Sequence, residues 1–119
     1  MADPIMDRVP PHNHEAEQAV IGAIFLDSST LITASEILRP DDFYRSAHQK
    51  IFETFIRLSD QGKGIDVVTV TEKLSSKKEL ENVGGVAYIM ELANAVPTAA
   101  NVGHYAKIVE EKALLRRLI

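Results

Sequence analysis

The chain has 119 residues, room for one domain, and its 45% apolar and 25% charged composition excludes the disordered and fibrous classes. A net charge of −4 supplies no basic field for a phosphate backbone, so direct nucleic-acid binding is disfavoured. Cysteine is absent, which excludes disulfides and thiolate chemistry and suits a reducing cytosol.

The stretch Met1–Asp7 carries acids where a secretory signal needs positive charge followed by an apolar run. With Pro4, Pro10 and Pro11 it reads as a flexible leader over residues 1–12. The segment HNHEAEQAVIGAIFLD predicts the first helix, with Asn13 as N-cap and Glu15 and Glu17 near the positive end of the dipole. Within it the longest apolar run, Ala19 to Leu26, falls far short of the ~20 residues that span a bilayer, so no membrane role is expected. Leu31, Ile32, Ala34, Ile37 and Leu38 predict a second, short helix closed by Arg39-Pro40. Ser46 to Asp60 predicts the clearest amphipathic helix: Ala47, His48, Ile51, Phe52, Phe55 and Leu58 share one side.

Gly62-Lys63-Gly64 breaks that helix, and Thr69 to Glu72 has the form of a capping box opening the next. The β-branched run IDVVTV competes as a strand, but it has no partner to pair with. Gly84-Gly85 opens a helix expected to run to Pro97, and Asn101 or a neighbour caps the last one. The expected architecture is all-α: a compact bundle of about six helices with a leader at 1–12, a globular part at 13–100 and a final helix at 101–119.

That final helix carries two apolar stripes. Val102, Tyr105, Ala106, Val109 and Ala113 form one, which docks on the domain. Ile108, Leu114, Leu115, Leu118 and Ile119 lie on the reverse side and form a patch of the kind that marks an interface. The competing reading bends the helix back to bury them. The absence of a C-cap glycine favours a helix that is cut rather than ended.

Catalytic patterns are missing from the sequence. No phosphate-loop motif, metalloprotease H-E-x-x-H or nucleophile elbow occurs, and Gly62-Lys63-Gly64 lacks the spacing and hydroxyl of a phosphate loop. His12 and His14 are expected to be surface histidines, since no third ligand stands at metal-site spacing. His48, within an apolar stripe, reads as a core histidine bonded to backbone rather than a tuned acid or base. Glu36, Asp41 and Asp42 read as a solvated helix end and turn. Tyr88 sits beside its helix's apolar stripe, as either a contact anchor or an edge-of-core residue.

The ordered set PHNHEAEQAVIGAIFLD, DDFYRSAHQKIFETFIRLSDQGKGIDVVTV and GGVAYIMELANAVPTAANVGHYAKIV resembles the N-terminal domain of the bacterial replicative DNA helicase, the DnaB family. The resemblance covers nearly all of the chain after the leader. It implies a cytoplasmic parent about four times as long, whose separate motor would hold ATP and magnesium; no cofactor is expected in these 119 residues. It also implies a collar module for a hexameric ring built as a trimer of dimers, paired through a helical hairpin whose first arm follows this domain. Ile108, Leu114, Leu115, Leu118 and Ile119 would then form or flank the seam of that hairpin. The other implied partner is the helicase-binding domain of primase, with Glu15, Tyr88 and Ile119 as contact candidates. The alternative is a helical DNA-binding module, which would need basic residues gathered on one helix.

Overall fold

The computed structural model describes residues 9–119. Six α-helices follow one another: α1 (His14–Leu26), α2 (Thr30–Ile37), α3 (Ser46–Asp60), α4 (Val67–Ser76), α5 (Gly85–Ala93) and α6 (Val102–Arg117). Two 3-10 turns, Pro40–Asp42 and Glu81–Val83, punctuate them, and no strand occurs among the described residues. The fold is all-α as expected. Of the proposed leader, residues 1–8 lie outside the described residues.

The centre of the domain is α1. Asn13 caps it, its side-chain oxygen accepting the Ala16 N–H at 2.9 Å. From Ala19 to Ile24 every residue is buried, because this helix is apolar nearly all round and such a helix must be surrounded. It touches α2, α3, α5 and α6 in turn. Close approach to α5 is possible only because residue 22 is glycine: a Cβ there would stand 2.7 Å from the Leu92 carbonyl oxygen and 3.1 Å from the Ala95 Cβ.

Helix α3 packs its predicted stripe inward, with Ile51, Phe52 and Phe55 fully buried. An aromatic chain runs through this part of the core: Phe43 lies 5.0 Å from Phe52, and Phe25 meets Phe55 edge-on at 5.0 Å. Each fully buried side chain of this size contributes roughly 1.5–3 kcal/mol.

Two predicted boundaries move. Helix α4 begins at Val67, not after Thr69, because Asp66 is the cap: its carboxylate accepts the Thr69 N–H at 2.8 Å while the Thr69 hydroxyl accepts the Asp66 N–H at 3.0 Å. Thr69 is thus the third helical residue, and this reciprocal box outweighs the small helix penalty of the β-branched run. Helix α5 ends at Ala93 rather than at Pro97, with the Asn94 amide side chain donating to the Met90 carbonyl at 2.8 Å. The last helix starts after Asn101 as expected, although the Asn101 side chain makes no capping bond.

Gly22→Ala should therefore lower stability by about 1–3 kcal/mol, since the methyl meets backbone and cannot be relieved by a rotamer change. Gly64, with open space around it and no positive φ, should accept alanine with little loss. Urea unfolding of both variants measures the contrast.

Candidate protein-interaction site

At the N-terminal end of α1 a buried polar chain crosses three helices. Glu17, 1% exposed, receives the backbone N–H groups of Tyr44 at 2.6 Å and Arg45 at 3.4 Å. These belong to the residues that lead into α3, so the Glu17 carboxylate occupies the positive end of that helix from a different element. Its Oε1 also lies 2.7 Å from Nδ1 of the fully buried His48. The other ring nitrogen, Nε2, lies 2.7 Å from the Tyr88 hydroxyl on α5, and the Gln18 amide donates to that hydroxyl at 3.2 Å.

Burial pushes the Glu17 carboxyl up, but the bonds from His48 and from the Tyr44 and Arg45 amides together outweigh it and hold the group below its ordinary value. Glu17 is thus an anion, and His48 Nδ1 must carry a proton to face it. Beside this chain, the His14 ring lies 5.4 Å from that of His48. Burial, then repulsion from His48 and Arg45, pulls His14 below the ordinary histidine value.

A second cluster ties down the end of α6. Asp42 is buried, not solvated as expected: its carboxylate accepts the Arg39 N–H at 2.7 Å and the Arg117 guanidinium at 2.6 Å. Arg116 donates to the Asp42 carbonyl at 2.6 Å and to the Pro11 carbonyl at 2.8 Å. Its guanidinium also stands 5.5 Å over the Tyr44 ring, on which His12 stacks at 4.2 Å. Arg116 and Arg117 so join the last turn of α6 to the 3-10 turn and to the chain entering α1.

The two stripes of α6 separate as expected. Val102, Ala106, Val109 and Ala113 are buried, with Tyr105 packed partly against the core. On the reverse side Leu114, Leu115, Leu118 and Ile119 are 54%, 40%, 82% and 88% exposed. The helix does not bend back over them. Ile108 departs from this group: it is half-buried against the core and, with Glu15, Gln18, Pro97 and Tyr105, lines a cleft of about 430 Å³ between α1 and α6.

Of the contact candidates, Glu15 and Ile119 are exposed. Tyr88 is half-buried, with its hydroxyl held by His48 and Gln18. His48 is a core histidine, but side chains satisfy it and not the backbone. His12 and His14 are each partly exposed at the surface. What the residue patterns did not reveal was the role of Glu17. One signal was present: Glu17, Val20, Ile21 and Ile24 share a helical face, so a carboxylate stood on an apolar stripe opposite the stripe that carries His48.

Among the described residues no three His, Asp or Glu side chains converge as metal ligands. Gly62-Lys63-Gly64 follows the C-terminal end of α3, where carbonyls rather than N–H groups project, so it does not fit the phosphates of ATP. No helix among the described residues is long and apolar enough to cross a membrane.

A sequence model described as "DnaB-like helicase N terminal domain" matches residues 9–111. The chain is 59% identical over all 119 residues to the replicative DNA helicase DnaB of Geobacillus stearothermophilus, and equally to the replicative DNA helicase DnaC of Bacillus subtilis (strain 168). It spans about a quarter, 26%, of the length of each of these curated relatives. The crystal structure of the N-terminal domain of DnaB helicase from Mycobacterium tuberculosis superposes with a TM-score of 0.90 at 45% identity, covering 92% of this chain and 76% of that one.

Two outcomes follow from the clusters. Glu17 has a depressed folded value, so its stabilisation is complete above the ordinary glutamate pKa and is lost as pH falls through the folded value. Glu17→Gln should cost on the order of 1–3 kcal/mol near neutrality, and the gap from the unmodified chain should close in acid; a gap constant with pH contradicts the assignment. Asp42→Ala should accelerate amide hydrogen exchange in residues 112–119 while leaving α1 protected, as mass spectrometry after deuteration would show.

Proposed function

Because this chain belongs to the DnaB-like helicase N-terminal domain family, we propose that it is a collar module of a replicative helicase ring, supporting hexamer assembly as a trimer of dimers and docking primase. The observation that carries this reading is the two-sided end of α6. One face is buried in the domain, while Leu114, Leu115, Leu118 and Ile119 stand in water on the other. Exposed aliphatics in a continuous row are stabilised by a protein partner, at roughly 1.5–3 kcal/mol for each side chain fully covered.

The acidic net charge of −4 supports a protein partner over a nucleic acid. ATP hydrolysis and strand separation are assigned to the parts of such a helicase that lie beyond these 119 residues, and the chain acts by geometry alone. Repeated copies around a ring would give a primase docking site a high effective concentration, so weak single contacts suffice to hold primase beside the unwound strand. Glu15 at the first turn of α1, Tyr88 on α5 and Ile119 beyond α6 are the proposed primase contacts; two are exposed and the third is half-buried at the surface.

Calorimetric titration of the helicase-binding domain of primase into this chain tests the docking reading. Binding should be measurable, and Glu15→Ala, Tyr88→Ala and Ile119→Ala should each weaken it. Unchanged affinity in all three variants would contradict the assignment.

A further inference from the structure

Val9, Pro10, Pro11 and His12 precede α1 and belong to no helix, yet they are fastened to the last turn of α6. Pro10 and Pro11 carry no backbone N–H, so the segment cannot lengthen α1, and the paired prolines hold it extended and stiff. It is secured at two points. The Pro11 carbonyl accepts the Arg116 guanidinium at 2.8 Å, and the His12 ring lies on that of Tyr44 at 4.2 Å, with 18° between the planes. Arg116 joins the two points, because it also stands 5.5 Å over the Tyr44 ring and donates to the Asp42 carbonyl at 2.6 Å.

The turn that receives this segment needs support. Its closing backbone bonds, from the Leu118 N–H to the Leu115 carbonyl at 3.2 Å and from the Ile119 N–H to the Arg116 carbonyl at 3.3 Å, span three residues and have the poorer geometry of a 3-10 turn. A helix end of this kind opens readily. Arg116 stands between Leu115 and Leu118 in the sequence, so its contacts hold the backbone that carries the exposed aliphatic row. Arg117 secures the same turn through the Asp42 carboxylate, so losing the segment ahead of α1 would loosen the turn without undoing the helix.

We propose that residues 9–12 are a strap that prepares the end of α6 for association with a second copy of this chain. With the strap seated, the last turn is ordered and Leu115, Leu118 and Ile119 form a ready-made row. With the strap released, the turn frays and the partner must order it, at a cost in conformational entropy. Strap and partner favour one another because both select the ordered turn, and such coupling is reciprocal. This inference rests on the reading of the α6 end as an interface and adds what controls it.

His12→Ala tests the strap from a residue outside α6, and His12→Phe restores a flat ring on Tyr44. In His12→Ala, amide exchange in residues 115–119 should rise roughly two- to tenfold, the worth of one aromatic contact, while α3 stays protected. Self-association measured by sedimentation equilibrium should weaken by a similar factor, and His12→Phe should match the unmodified chain in both measurements. Exchange that does not change in His12→Ala, or that rises while association stays the same, overturns the strap and leaves the interface standing. A His12→Phe variant as loose as His12→Ala does likewise. An unmodified chain that stays monomeric at every concentration overturns the interface reading and this inference with it.

Discussion

A carboxylate inside an apolar core is costly unless every lone pair has a partner, and the arrangement of this domain follows from satisfying Glu17. Its partners come from residues 27, 28 and 31 positions further along the chain. They fix where α3 begins relative to α1, and through His48 they fix Tyr88 on α5. Three helices are so registered by one anion. Hydrophobic burial supplies most of the driving force, but it is non-directional; the Glu17 bonds select one seating of α1 on α3.

The second cluster does for α6 what the first does for α3 and α5. Asp42 accepts from Arg117, and Arg116 reaches two backbone carbonyls, so the last turn of the helix is held although its aliphatic side is uncovered. That explains how one helix can bury Val109 and Ala113 while Leu118 stays 82% exposed. An apolar row on an anchored helix end is a presented surface. The same row on a frayed end would have to be ordered by its partner, at a cost in conformational entropy.

Much of the fold was legible because the signals are local. Asn13 before α1, the apolar stripe of α3 and the two faces of α6 all lie within a few turns of helix, where periodicity and capping operate. Misreadings arose where two local signals competed or where a partner was distant. Thr69 and Glu72 imitate a capping box, yet Asp66 takes the Thr69 amide and starts the helix three residues earlier. Asp42 resembles a turn carboxylate until Arg117, 75 residues away, folds onto it. His48 was rightly placed in the core, but no local pattern names Glu17 and Tyr88 as its partners. The exposed aliphatic row was legible as an excess of apolar residues on the outer side of α6, with Ile108 the exception because the cleft beside α1 half-covers it.

The proposed collar role rests on presentation of the end of α6 to another protein surface, the first proposed being a second copy of the chain. Sedimentation equilibrium across a wide concentration range measures it most directly. The chain should self-associate reversibly, and the double substitution Leu118→Glu with Ile119→Glu should shift the association to higher concentration without changing the helical content. A chain that sediments as a monomer throughout, or a double variant that associates as readily as the unmodified chain, would contradict the assignment of the α6 end as an interface.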